Sequence, residues 1–394
     1  MMRTLYSLKG SEFRIEILAK PKVQEFIEAH ASVLDSSFQK VEMSDAMRRR
    51  LTRSDYVFSG MKTFHELNEA FPSLLDENGN RKPFEQFLND VRKIDSMYNG
   101  NYLRAEYNFV QSSAEMAAKW ERFMEDGERY NLQYRTANDG KVRPEHATLH
   151  NVTLPPSDPF WEEYYPPNGW NCRCSVVQVR KSKYPTTPHD EAMALGEEAL
   201  QKDSKGIFHF NAGKERKTVP DYNPYTIRRC KDCNIAKGKL KLAFMPDNEL
   251  CAACEILHKC VGDREKSQRA IERTHYLHEM KPLLRKSETL NANGTDIRVG
   301  FSAYGNKHLF SDTFGRSSVL QKDDLASLDE VLKEAEFIED SALTHPRTDG
   351  IERFFYFKAR IRGQWIRLNV AKEVRHRPNG RSRVSYYLYS INDI

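Results

Sequence analysis

The stretch "YPPNGWNCRC", residues 165–174, decides how the first half of this chain is read. Pro166 and Pro167 stiffen the approach, and Asn168-Gly169 supplies a turn. Cys172 and Cys174 follow, one residue apart. Phe160, Trp161 and Trp170 crowd the same Gly/Pro-rich segment. Burying each of those rings contributes roughly 1.5–3 kcal/mol, so the segment reads as compact and irregular rather than as open loop. If Cys172 and Cys174 lie on a strand they point to one face. With His146 or His150 they offer three of the four nitrogen or sulfur ligands that zinc takes. The alternative is two small buried thiols beside the tryptophans. The residues alone leave both readings open.

Upstream, residues 12–125 read as mostly helical. VQEFIEAHASVLDSSF (23–38), FEQFLNDVRKIDSMYN (84–99) and YLRAEYNFVQSSAEMAAKWERFM (102–124) carry apolar residues at helical spacing. DENGN (76–80) marks a turn. Downstream, SVVQV (175–179) reads as a short buried strand, KYPTTPHD (183–190) as a linker and EAMALGEEALQK (191–202) as a short helix. A charged helix is expected from about Asp263 to Lys286, then an exposed linker or loop, SETLNANGTD (287–296). DLASLDEVLKEAEFIED (324–340) reads as an amphipathic helix. The last strands, FFYFKARIR onward, are joined by turns at Gly363 and at RPNG (377–380).

The whole chain has 394 residues, 39% hydrophobic and 30% charged, with a formal net charge of +5. That balance is too weakly basic to argue for nucleic acid by itself. No signal-peptide run and no stretch of about 20 apolar residues is present, which predicts no membrane span.

From Tyr134 to Cys174 the ordered string Tyr134, Arg135, Thr136, Asp139, Val142, Arg143, His146, Leu149, Pro155, Asp158, Phe160, Trp161, Pro166, Pro167, Asn168, Gly169, Trp170, Cys172, Arg173 and Cys174 resembles the signature of Mu F-like minor head proteins of tailed phages. FSGMKTFHEL (58–67) resembles the family too, and the resemblance covers roughly residues 10–180. It implies a head-morphogenesis role, with capsid or portal proteins as partners. The implied location is the virion or the cytoplasm of the producing bacterium.

Five of the seven cysteines fall between Cys230 and Cys260. Cys230, Cys233, Cys251 and Cys254 have the spacing C-x2-C-x17-C-x2-C, which suits four thiolates around one structural zinc. Four protein ligands would close the coordination sphere. His258 or Cys260 could replace one ligand, and free thiols or a redox pair is the other reading.

The tail carries the enzyme hypothesis. Alternation puts Phe355, Phe357, Ala359 and Ile361 on a core face, with Tyr356, Lys358, Arg360 and Arg362 opposite. After the turn, Ile366, Leu368 and Val370 point inward, and Trp365, Arg367 and Asn369 outward. A cationic, aromatic sheet face suits phosphate and base contact. His308 and His345 lie upstream. Two histidines beside that face could cleave RNA without metal: one takes the 2′-hydroxyl proton, the other protonates the leaving 5′-oxygen. GNKHL (305–309), the HP pair (345–346), FKARIRGQW (357–365) and YYLYSI (386–391) resemble the barnase–EndoU–colicin–RelE nuclease superfamily. The resemblance implies His308, His345, Lys358, Arg360 and Ser390 as catalytic candidates. Lys307, Tyr356, Arg362, Trp365, Arg367 and Tyr389 are the substrate contacts, and an immunity protein is a further expected partner.

The sequence therefore predicts an α+β multidomain chain. Residues 1–182 form a mostly helical Mu F-like domain with a loop-rich Cys/Trp segment. Residues 183–285 form a linker and zinc-knuckle region. Residues 286–394 form a helix-plus-antiparallel-sheet nuclease domain acting in a recipient cytoplasm. The alternative is a non-enzymatic assembly protein whose basic sheet binds nucleic acid or the portal. A nucleotide-using transferase lacks support, because no glycine-rich phosphate loop is present.

Overall fold

The computed structural model describes residues 1–8, 13–226, 249–309, 319–320, 322–342, 347–376 and 382–394. They divide into two compact units, Met1–Asp263 and Arg264–Ile394.

The first unit begins with helices α1 (Met2–Tyr6), α2 (Pro21–Ser36), α3 (Asp45–Ala70), α4 (Phe84–Ser96) and α5 (Leu103–Asp126). Pro21 at the first turn of α2 has its φ already set for a helix. Ser44 caps α3 by accepting from the Met47 N–H. The apolar stripes of these helices meet in one core that includes Leu34, Leu51, Phe64, Phe87 and Val110. α5 ends at Gly127, whose φ of 57° and ψ of −138° only glycine adopts readily.

Beyond α5 come β1 (Tyr130–Arg135), α6 (Pro144–Ala147), β2 (Thr153–Leu154), α7 (Phe160–Glu163) and β3 (Ser175–Arg180). The strands form an antiparallel sheet in the order β2-β1-β3, with Tyr134 opposite Val176. A second core gathers around Trp161, Tyr134, Phe160 and Tyr165, all fully buried. Next are α8 (His189–Leu200) and α9 (Ala212–Glu215). The short helix expected over 191–202 is α8, and its Ala192, Ala199 and Leu200 pack into the tryptophan core. Phe210, Val219 and Tyr225 pack into the helical core. Asn211 explains the tight fit: its side chain caps α9 and also donates to the Trp161 carbonyl at 2.7 Å.

Helix α10 (Glu249–Glu279) starts well before the expected Asp263 and stops short of Lys286. Its early apolar residues Ala253, Leu257 and Val261 belong to the first core. That burial is invisible to a reading of its charged half.

The second unit contains β4 (Ser287–Ala292), β5 (Thr295–Gly300), α11 (Ala303–His308), α12 (Leu328–Lys333), β6 (Glu336–Ala342), β7 (Ile351–Ile361), β8 (Gln364–His376) and β9 (Ser382–Asp393). Six strands form one sheet in the order β4-β5-β9-β8-β7-β6, antiparallel except for the parallel pair β5–β9. Two expectations are corrected. SETLNANGTD is a hairpin, not a linker: Leu290, Ala292, Ile297 and Val299 alternate into the core. Its turn is Asn293-Gly294, with φ of 50° and 80°. The helix expected over 324–340 is α only from Leu328 to Lys333, and Glu336–Ala342 is strand. Pairing of β6 with β7 and the Phe337–Phe357 ring contact at 5.6 Å override local helix propensity there.

The predicted alternation on β7 and β8 holds. Phe357, Ala359, Ile361, Ile366, Leu368 and Val370 are buried in the core, with Phe355 packed against it. The β7–β8 turn has positive φ at Arg362 and Gly363, and the expected RPNG turn lies outside the described residues.

Candidate functional sites

In the first unit the geometry converges on the stretch that opened the sequence reading. Cys172 and Cys174 precede β3 rather than lying on it, and both are buried. Three contacts shape this loop. Tyr134 donates to Asn168 Oδ1 at 2.6 Å, Arg143 to the Trp170 carbonyl at 2.6 Å, and Arg173 forms a bidentate pair with Asp139 at 2.6 and 2.7 Å. That guanidinium holds the Asp139 carboxyl down at about 2. His146, on α6, is buried, with Nδ1 3.8 Å from Cys172 Sγ. The ligand atoms of His146, Cys172 and Cys174 all lie within 4.8 Å of one another. His150, the other candidate partner, instead places Nδ1 2.8 Å from Thr136 Oγ1. The Cys174 thiol, hydrogen-bonded to Cys172, holds the Cys172 thiol well below its usual range, and His146 adds to this. The same bond pushes Cys174 up. A cleft of about 270 Å³ opens beside the three side chains, lined also by Lys141, Arg143 and Arg173.

This loop and its sheet fall in a recognisable region. The family profile described as "Phage Mu protein F like protein" matches residues 78–177. This segment is similar to that family. The chain is 31% identical over 167 residues to "Putative capsid assembly protein F" of Escherichia phage Mu, covering 41% of this chain and 35% of that one. It is 30% identical over 137 residues to "Mu-like prophage FluMu F protein" of Haemophilus influenzae, covering 33% of this chain and 30% of that one. The matches thus span about a third of the length of these relatives. No solved structure matches the chain. The Mu F-like segment ends just after Cys174, within β3, so all three clustered side chains lie inside it.

The second unit lies outside the Mu F-like segment. α11 carries His308 to β9, where its ring stacks on Tyr389 with centroids 4.4 Å apart. Gly305 allows this approach: a Cβ there would sit 2.4 Å from the Leu388 carbonyl oxygen. The Tyr389 hydroxyl is 3.4 Å from His308 Nε2 and accepts from Arg347 at 3.1 Å. Asp349 takes a bidentate pair from Arg347 and a hydrogen bond from Tyr304 at 3.1 Å. The Arg347 guanidinium holds the Asp349 carboxyl below its usual range. Tyr304 closes the group, edge-on to His308 at 4.6 Å.

The structure brings His308 and Tyr389 together but not the basic strand residues. Phe354 touches Tyr389 at 5.3 Å. Lys358 is four residues further along β7, about 13 Å away, and Arg360 about 20 Å. Both instead flank Trp365, at 4.8 and 4.5 Å from its ring centroid, and Lys358 pairs with Glu336. Arg367 lies over Tyr356 at 5.1 Å. Arg362 sits in the turn and pairs with Asp324 at 3.1 Å. Ser390 is buried and accepts from Asn369 at 2.7 Å. Lys307 is exposed, and His345 lies outside the described residues. Sequence reasoning missed Tyr304, Arg347 and Asp349. The only available signal was that each flanks a singled-out motif.

Of the expected zinc knuckle, Cys230 and Cys233 lie outside the described residues. Cys251 and Cys254 sit one turn apart on α10, Cys251 buried and Cys254 partly so. Burial first, then Arg53 and Lys217, pushes nearby His258 down to about 4. Burial pushes the Cys260 thiol up.

Proposed function

We propose that the chain is a phage- or prophage-derived head-assembly protein carrying a metal-independent endoribonuclease in its second unit. The Mu F-like segment would engage capsid or portal proteins, so the chain would reside in the virion or the producing cell. This half rests on the match over residues 78–177. Among the described residues no helix is long and apolar enough to cross a membrane. A structural zinc held by Cys230, Cys233, Cys251 and Cys254 is part of the proposal.

The observation that carries the enzyme is His308 stacked on Tyr389, whose hydroxyl Arg347 also reaches. An RNA 2′-hydroxyl would attack the adjacent phosphorus and the 5′-oxygen would leave. One of His308 and His345 takes the 2′ proton and the other supplies the 5′ proton. Arg347 offsets charge on the phosphoryl oxygens. The products are a 2′,3′-cyclic phosphate and a 5′-hydroxyl. Such an effector would act in a recipient cytoplasm, and its producer would need an immunity protein.

A second reading has its own observation. Trp365 is 39% exposed between Lys358 and Arg360, well away from His308. An exposed ring flanked by cations suits base stacking and phosphate contact without chemistry. The test is cleavage of total RNA by the full chain, with and without EDTA, beside His308→Ala and Trp365→Ala. The enzyme reading expects cyclic phosphate ends and a loss of about 100-fold or more in His308→Ala. Folded protein that retains RNA uncut, and loses it only in Trp365→Ala, would replace that reading with the binding surface.

A further inference from the structure

His146, Cys172 and Cys174 are three buried donor side chains brought together from α6 and the 165–174 loop. Tetrahedral zinc with Zn–S of about 2.3 Å and Zn–N of about 2.0 Å needs an S···N edge of about 3.5 Å and an S···S edge of about 3.8 Å. The observed Cys172 Sγ to His146 Nδ1 separation is 3.8 Å. All three donor atoms fall within 4.8 Å, so shifts of at most about 1 Å complete the site. His150 cannot compete without giving up Thr136.

We infer that His146 Nδ1, Cys172 Sγ and Cys174 Sγ hold one zinc ion, with water in the fourth position facing the cleft. Two thiolates neutralise the ion, so it sits beside Lys141, Arg143 and Arg173 without adding net charge. The three protein ligands would pin the loop to α6 and leave one position open, unlike a closed four-cysteine site. The open position faces a cationic cleft, so a carboxylate from a binding partner could displace the water.

The test is cobalt titration of the full chain carrying Cys230→Ser, Cys233→Ser, Cys251→Ser and Cys254→Ser, which removes all four ligands of the other candidate site. One equivalent of Co²⁺ should bind, with thiolate-to-cobalt absorption in the near ultraviolet. Adding Cys172→Ser or His146→Ala should abolish that band, and His146→Cys should restore it with stronger absorption from a third thiolate. Mere packing roles would not be rescued this way. Native mass spectrometry of the otherwise unaltered chain guards against a background that fails to fold: His146→Ala should carry one zinc fewer than the parent. Equal zinc counts in parent and His146→Ala, or no cobalt–thiolate band from a folded background chain, would overturn the site.

Discussion

Replacing His30 by Gln should remove a specific share of the first unit's acid sensitivity. His30, on α2, is 7% exposed, and its two ring nitrogens are both engaged inside the helical core. Nδ1 is 2.8 Å from Ser59 Oγ, and Nε2 is 3.1 Å from Lys62 Nζ. Lys62 in turn bonds Glu106 at 2.5 Å, and Tyr225 donates to the same carboxylate at 2.7 Å. Burial first, and the Lys62 charge second, push His30 down from 6.5 to about 3. The sign follows from proton counting. Between pH 6.5 and 3 the unfolded chain holds the proton and the folded chain does not, so stability falls as pH drops through that window. From pH 7 to pH 5 the loss from this residue alone is about 2 kcal/mol. Glu66 is raised to about 7, mainly by burial, and so contributes stability in the opposite direction, lost as pH rises through that value. Its contribution is common to parent and variant and largely cancels in their difference. Gln can accept from Lys62 and donate to Ser59 while never titrating. Urea unfolding of both proteins at pH 7 and pH 5 should therefore show the parent losing about 2 kcal/mol more than His30→Gln. Equal losses would refute the assignment of a neutral, buried histidine.

Lys62→Met should cost about 3–5 kcal/mol in the same urea assay, because it strands the buried Glu106 carboxylate. A second change, Glu106→Gln, should recover part of that loss, whereas simple additivity would argue against a coupled pair. Gly305→Ala should destabilise the second unit by about 1–3 kcal/mol, since the contact is with a backbone carbonyl that cannot swing aside. It should also unstack His308 from Tyr389, read as a shift of the His308 ring protons by NMR. Unchanged shifts would mean that α11 does not need glycine to reach β9.

Helices α2, α4 and α5 were legible because each buries a stripe at a spacing of 3.6, a property of local sequence. The faces of β7 and β8 were legible for the same reason at a period of 2. The Mu F-like signature was legible because its Pro, Gly, Trp and Cys residues are confined to one short stretch. β6 was not legible: EFIEDSA follows a run of strong helix formers, and only its pairing with β7 makes it a strand. The β4–β5 hairpin was misread although Asn293-Gly294 announces its turn, because its polar residues suggested a linker.

The sequence by itself determined the periodic elements, the Mu F-like stretch and which residue types were available for chemistry. Tertiary structure alone decided which of them meet. It chose His146 over His150 for the cysteine pair and gave His308 to Tyr389, 81 residues away, rather than to Lys358 or Arg360. Local propensity acts over a turn or two of chain. The partners of a buried or clustered side chain depend on long-range packing that no short window of sequence encodes.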